Sequence, residues 1–332
     1  MNFFSPTAEA RPQFSDILQA AERIKGKAVR TPLLESPILN EQLGARVLFK
    51  PENLQRTGSF KYRGATNTIQ ALSDEQRRNG VTAFSSGNHA QGVAAAAKEA
   101  GIPATIVMPK DAPSIKIRNT RAYGADIILY DRYTEDREAI GQRVSEETGA
   151  TLIKPYDASL TITGQGTIGL EIAEQAAEMS LQPDIILAPC GGGGLMSGIA
   201  LASEELLPKT ELYAVEPAGF DDTVRSLASG TRETNSAGAR SFCDALLSPS
   251  PGEITFPINQ KLLKGAVSVT DEEVTEAVKL AFGQMKLVVE PGGAVGLAAV
   301  LAGKIDIRQK TIIVVLSGGN VDAELFRTIL AA

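Results

Sequence analysis

Imidazole is almost absent from this chain: its 332 residues include one histidine, His89. Zinc sites built from several histidines, the H-E-x-x-H metalloprotease arrangement among them, are thereby excluded. A Ser-His-Asp triad would have to recruit His89, and no G-x-S-x-G elbow accompanies it. Proton transfer falls instead to Lys, Ser, Tyr, Asp or Glu, or to a bound cofactor. Cysteine is nearly as scarce, since Cys190 and Cys243 make neither a disulfide framework nor a metal motif. Positive charge is not in excess: 33 Lys and Arg face 39 Asp and Glu, a formal net charge of −6, with no basic run. That argues against nucleic acid or an anionic membrane as partner. The longest apolar runs, such as "TIIVVL" at 311–316, are far too short to span a bilayer. The opening "MNFFSPTAEARP" lacks the basic region and apolar block of a secretion signal. A cytoplasmic protein is expected.

What is present is an ordinary soluble composition, 43% hydrophobic and 22% charged, in a chain long enough for one large or two medium domains. Short β-rich runs alternate with helical stretches. "RVLFK" (46–50), "VTAFSS" (81–86), "ATIVMP" (104–109), "ADIILY" (125–130) and "ATLIKP" (150–155) read as strands. Helices are expected over about 60–72, 88–101, 114–123 and 134–148. From Gly164 the pattern restarts with a helix, then "DIILAPC" (184–190), a helix from Leu195, and "ELYAVEP" (211–217). Residues 228–260 read as an irregular surface excursion, followed by a helix at 271–285 and a last strand at 311–316. This repetition predicts an α/β fold with parallel sheets covered by helices on both faces. Two lobes are expected: a larger one from 1–79 and 158–332, and a smaller one, 80–157, inserted into it.

Ligands in open α/β sheets bind at the carboxyl ends of strands, and five glycine- or serine-rich loops lie there. "CGGGGLMSG" (190–198) brings four glycines to a helix start, where backbone N–H groups can approach an anion. It matches neither G-x-G-x-x-G nor a P-loop, and phosphate binding is favoured over a merely tight turn. "SSGNHAQG" (85–92) could receive a carboxylate, although taken alone a simple helix cap by Ser86 or Asn88 is favoured. His89 reads as a packed helix residue rather than a base. "LSGGN" (316–320) and "VEPGGAVGLAAV" (289–300) are further strand or turn ends. In "VEPAGFDD" (215–222), Glu216 and Asp222 are spaced either to hold a hard cation or to cap a helix. Finally, "NLQRTGSFKYRGA" (53–65) sets Lys61 between Phe60 and Tyr62 after a Thr-Gly-Ser turn, either as a first-turn helix lysine or as a nucleophile against a cofactor ring.

Taken in order, "TGSFKYRGA", "SSGNHAQG", "GQGTIGLEI", "CGGGGLMSGIA", "VEPAGFDD" and "LSGGNVD" resemble fold-type II pyridoxal-phosphate enzymes, in the branch of threonine/serine dehydratases and serine racemases. The resemblance runs from about residue 14 to residue 325. No regulatory extension follows, so the short dehydratases are the nearer likeness. It implies two open, mostly parallel sheets covered by helices, with the small lobe closing over an amino-acid substrate, in a homodimer. It implies that Lys61 forms a Schiff base with pyridoxal 5′-phosphate and that Phe60 packs on the ring. Gly191, Gly192, Gly193 and Gly194 would cradle the phosphate, Asn88 the phenolic oxygen, and Ser317 the pyridine nitrogen. Ser85, Ser86, Gly87 and Asn88 would grip the substrate α-carboxylate. Lys61 would remove the α-proton, with Ser86 as acid/base on the opposite face. Glu216, Asp222 and the Phe220 carbonyl would bind a cation, Mg²⁺ or else Ca²⁺ or Mn²⁺.

A serine opposite the pyridine nitrogen cannot keep that nitrogen charged, and a neutral ring is the weaker electron sink. Prompt loss of a β-leaving group is then favoured over transamination, and a β-hydroxy amino acid is the expected substrate class. An ammonia-lyase on L-threonine, L-serine or 3-hydroxyaspartate leads, with an amino-acid racemase as the alternative. Two departures bear on the substrate. In "FCDALLSPSPGEITFPI" (242–258) Asp244 is followed by alanine rather than glycine, and Phe84 replaces a small polar or basic residue. Arg132, Tyr133 and Arg137 begin a helix that could border the cleft and grip a second carboxylate, although exposed helix-start arginines are the simpler expectation.

Overall fold

The chain, in a computed structural model that describes residues 11–85, 87–112 and 114–332, sorts its strands into two sheets. In chain order these are β1 (Leu34–Glu35), β2 (Arg46–Pro51), β3 (Val81–Phe84), β4 (Ala104–Pro109), β5 (Asp126–Tyr130), β6 (Thr151–Leu152), β7 (Ile185–Pro189), β8 (Glu211–Pro217), β9 (Gly265–Val269) and β10 (Thr311–Leu316). The larger sheet runs β1-β2-β10-β7-β8-β9 and the smaller β5-β4-β3-β6. Every pairing is parallel except β1 with β2.

Strand composition explains the layering. Along β10, Ile312, Val314 and Leu316 enter one core with the Asp271–Met285 and Pro291–Leu301 helices. Ile313 and Val315 point the other way, into a core shared with the Ser159–Glu178 and Gly194–Leu206 helices. Alternate residues thus bury on opposite faces, which is why the central strands read as continuous apolar runs. A third core joins β3, β4 and the Asn88–Ala100 helix to the Lys61–Gln70 helix. That second helix is therefore gripped by both halves of the molecule.

Four expected boundaries move. The helix expected from Gly164 starts at Ser159, the one expected from 134 starts at Arg137, and the strand expected over 150–155 shrinks to β6. Residues 228–260 are not simply a surface excursion, because a helix begins at Thr255 and residues 244–248 fold back into the molecule. The small residues of "GQGTIGLEI" account for how closely the Ser159–Glu178 helix is packed. A Cβ on Gly164 would lie 2.7 Å from the Gly64 Cα, so the two helices cross in direct backbone contact.

A buried ionic cluster fixes the entry to that crossing. Arg63 donates to Glu52 at 2.8 Å and to Glu171 at 2.6 Å, and Lys50 reaches Glu171 at 2.6 Å. Burial opposes the Arg63 charge, but the two carboxylates outweigh it and hold the guanidinium protonated. Strand β2, the turn after it and the first turn of the Lys61–Gln70 helix are locked together two residues beyond Lys61.

Candidate active site

The carboxyl ends of both sheets face one cavity of about 310 Å³. After β2, the Thr57-Gly58 turn (φ 62 and 72) reverses the chain, and Phe60 caps the helix that Lys61 begins. The Lys61 Nζ donates to the Pro155 carbonyl at 2.7 Å and lies 5.1 Å from the Phe60 ring centre. Burial with no carboxylate beside it lowers its pKa to about 8. An amine in that state is within reach of neutrality at physiological pH, as a nucleophile or base requires.

Opposite the amine, Cys190 ends its hydrogen bonding to Val215 and the four glycines follow. None of the backbone N–H groups of Gly191, Gly192, Gly193 and Gly194 finds an acceptor among the described residues. They gather at the N-terminus of the Gly194–Leu206 helix. Gly193 adopts φ 93, a left-handed conformation, and a Cβ on Gly192 would lie 2.3 Å from the Tyr156 ring. Unpaired donors at a positive helix end, with no side chain in the way, fit a phosphate. The chemistry of the whole donor set fits pyridoxal phosphate: an amine for its aldehyde, an aromatic face at Phe60 and an anion cradle.

The other expected residues reach the same wall. Ser317 follows β10, and its carbonyl accepts the Phe60 N–H at 3.2 Å. Its hydroxyl is free of partners among the described residues. Asn88 opens a helix and is held from both ends: its Nδ2 donates to Glu290 at 2.5 Å and its Oδ1 accepts from Asn320 at 2.8 Å. Ser85 Oγ accepts the Gly87 N–H at 3.1 Å, which curls the loop toward the cavity. Ser86 lies outside the described residues. His89 is buried and its Nε2 meets the Ile153 carbonyl at 2.8 Å. Burial, then the neighbouring Lys61 charge, drives its pKa down to about 3, so it stays neutral as a packed residue would.

Glu216, near the end of β8, and Asp222, at the start of the helix that follows, are set apart from the residues lining the cavity. Glu216 accepts the N–H groups of Thr223 at 3.0 Å and Val224 at 2.9 Å. Asp222 bonds Asn235 through Oδ1, and its Oδ2 is buried without a partner. Desolvation followed by Asp222 raises Glu216 to about 8, and desolvation raises Asp222 to about 6. Two buried carboxylates with an orphaned oxygen fit a hard cation. Among the described residues no cluster of three or more acidic, histidine or cysteine side chains completes the set, so carbonyl oxygens such as that of Phe220 would have to.

One expectation changes for Arg137 alone. Both arginines border the cavity, because the Arg137–Thr148 helix starts over its mouth, but Arg132 stays exposed as expected while Arg137 is half-buried. Arg132 is paired with Asp111 at 2.8 Å. Arg137 has no carboxylate partner among the described residues and stacks on Phe84, 5.7 Å from the ring centre. Tyr133, 84% exposed, takes no part.

Three further residues of the site carry little signal in the sequence. Lys116 is buried in the cavity wall and pairs with Asp244. Burial works against its charge, but Asp244 and then Glu290 outweigh it and raise its pKa. Tyr156 lies over the glycine loop, and burial raises its phenol above the ordinary value. Glu290 is buried with its Oε2 unpaired, and burial raises it to about 7. The available signals are a lysine between two isoleucines in "SIKIR" (114–118) and an acid beside an apolar small-residue stretch at Glu290.

The family model described as "Pyridoxal-phosphate dependent enzyme" matches residues 24–318. An L-threo-3-hydroxyaspartate ammonia-lyase of Saccharomyces cerevisiae is 43% identical over 96% of this chain and 97% of that protein. A Pseudomonas protein of the same name is 44% identical over 96% of this chain and 98% of its own length. Among solved structures, maize serine racemase superposes with a TM-score of 0.90 at 40% identity, covering 97% of this chain and 98% of that one.

Proposed function

The chain belongs to the pyridoxal-phosphate-dependent enzymes, and from that premise we propose that it is an ammonia-lyase for 3-hydroxyaspartate, the threo isomer first. The observation that carries the substrate is Arg137, a guanidinium with no protein carboxylate among the described residues, in the same cavity as Lys61. A four-carbon dicarboxylic amino acid supplies what threonine and serine lack, a second carboxylate for that fork.

Pyridoxal phosphate, when bound, supplies an aldehyde for amines and an electron-withdrawing ring that acidifies the α-carbon. The protein does the rest. The free N–H groups of Gly191–Gly194 would hold the phosphate, Phe60 the ring face, Asn88 the phenolic oxygen and Ser317 the ring nitrogen. Ser85, Gly87 and Asn88 receive the α-carboxylate at a helix start. Arg137 receives the β-carboxylate and turns the β-hydroxyl into a fixed direction. Residues 80–157 carry Ser85 and Arg137, and we read them as the lobe that closes over the substrate. Neutral Lys61 would remove the α-proton. The Cβ–O bond electrons would leave with the hydroxyl as the Cα–Cβ double bond forms. That hydroxyl would depart as water by taking up one proton, which balances the one Lys61 has gained. The released enamine tautomerises and hydrolyses to oxaloacetate and ammonia.

A racemase needs a second proton donor on the face opposite Lys61, and the sequence offers Ser86. Incubation of the holoenzyme with L-threo-3-hydroxyaspartate tests the reaction class. Ammonia and oxaloacetate are expected one to one, without epimerised substrate. Epimerisation outrunning ammonia release would make racemisation the main activity.

Cofactor loading carries a pH signature. Only the neutral Lys61 amine adds to an aldehyde, and its pKa of about 8 leaves roughly a tenth neutral at pH 7. The rate at which the visible absorption band returns to apoenzyme should rise about tenfold from pH 7 to 9 and then level. The sign for stability agrees: between about 8 and the ordinary 10.5 the unfolded chain binds the extra proton, so apoenzyme stability rises with pH there. A rise of about a hundredfold from pH 7 to 9 with no levelling, as an amine at the ordinary 10.5 would give, would contradict the lowered pKa.

We also propose that Glu216, Asp222 and the Phe220 carbonyl bind Mg²⁺ or a similar ion in a structural role. Thr223 links the two regions, since its N–H goes to Glu216 and its Oγ1 lies 3.5 Å from the Cys190 Sγ, beside the glycine loop. Millimolar Mg²⁺ should raise the melting temperature by about 1.5–3 °C, as binding energies of one to two kcal/mol do in a chain this long. Chelator should remove the gain, and Asp222→Asn should not show it. No shift with Mg²⁺, Ca²⁺ or Mn²⁺ would reject the site.

A further inference from the structure

We propose that Phe84 is the positioning residue of the second-carboxylate site: its ring is the platform that holds the Arg137 guanidinium in place without neutralising it. The inference rests on the reading of Arg137 given above and extends it to the residue beneath.

Phe84 ends β3, immediately before the Ser85 loop. The residue is 7% exposed and packs with Val107, Tyr130, Ile140 and Val144, so its ring has one fixed place. The Arg137 guanidinium carbon lies 5.7 Å from the ring centre, within cation–π range. Gly141 stands one turn further along the helix that Arg137 begins, on the same face. A Cβ there would come within 3.0 Å of the Phe84 Cδ1, so glycine lets the helix settle against the ring edge.

A guanidinium on a mobile four-bond stem can be fixed in two ways. Arg132 shows the first: Asp111 accepts its Nε–H at 2.8 Å, which orients the arginine and cancels its charge. Phe84 provides the second. An aromatic face attracts the cation but offers no lone pairs, so the planar N–H fork stays available to a ligand. Because Phe84 also anchors Ser85 by direct chain connection, one strand end sets the separation between the two carboxylate-binding groups. A residue that holds this spacing selects a four-carbon dicarboxylate without touching the reacting atoms.

The test uses the holoenzyme and calorimetric affinities for succinate and butyrate, which share a chain length and differ by one carboxylate. The wild-type protein should prefer succinate. Phe84→Leu keeps an apolar side chain and removes the π face, and the succinate-to-butyrate preference should fall roughly three- to tenfold. Phe84→Tyr should retain it. Gly141→Ala, which leaves the ring intact but moves the helix, should lower the preference as well, and it decides the matter if Phe84→Leu fails to fold. A merely structural Phe84 predicts equal weakening of both ligands, and that result overturns the proposal. If Arg137→Met abolishes the preference while the Phe84 and Gly141 variants keep it, the platform is wrong and the Arg137 reading stands. If Arg137→Met keeps the preference, the Arg137 reading itself is wrong.

Discussion

Lys61→Ala should reduce turnover of any amino-acid substrate by at least about 10²- to 10⁴-fold, the range set by losing a positioned proton-transfer group. It should also abolish the visible band of the purified protein, because no other amine in the cavity is free. Lys116 is engaged by Asp244, and the arginines do not add to aldehydes at neutral pH. The fold should survive. Lys61 makes one hydrogen bond, to the Pro155 carbonyl, and its charge is disfavoured by burial, so the variant should melt within a few degrees of wild type. Turnover near wild type, measured with far-UV dichroism and absorbance on the same sample, would remove Lys61 from the mechanism.

Arg137→Met should change preference rather than disable the enzyme. Loss of a charge-assisted bidentate contact is worth about 1.5–3 kcal/mol, a fall of roughly 10- to 150-fold in kcat/KM for 3-hydroxyaspartate. Turnover of L-threonine, which has no second carboxylate, should stay within about threefold. Arg137→Lys should restore the charge but not the planar fork, and so recover only part of the loss. Equal losses on both substrates would make Arg137 a structural residue.

The parts of the fold legible in the sequence were those whose physics is local. Strand β10 alternates between two cores and reads directly from "TIIVVL", and the helix at 88–100 ends where Gly101 takes φ 69. The glycine loop and Lys61 were legible because four glycines and a Thr-Gly-Ser turn are conformational statements in themselves. What failed was long-range. Arg137 was read as exposed because nothing near it in sequence says that the helix starts over a cavity. Lys116 meets Asp244 across 128 residues, and no window of sequence contains both. Strand β9 went unread because "GAVSV" is short and small, and its place is set by pairing with β8. Phe84 is only an unusual residue at its place in the sequence, and its role depends on Arg137 and Gly141 arriving from a distant helix.

The substrate decides the account, so a panel of kcat/KM values is the most direct trial. The holoenzyme would be given the 3-hydroxyaspartate stereoisomers, L-threonine, L-serine and D-serine, with ammonia and 2-oxo acid release recorded for each. An unpaired arginine in the cavity predicts that a threo-3-hydroxyaspartate exceeds threonine and serine by at least about tenfold, the worth of one charged hydrogen-bonded contact. If L-threonine or L-serine is preferred instead, the cavity does not recognise a second carboxylate and the proposed function is wrong.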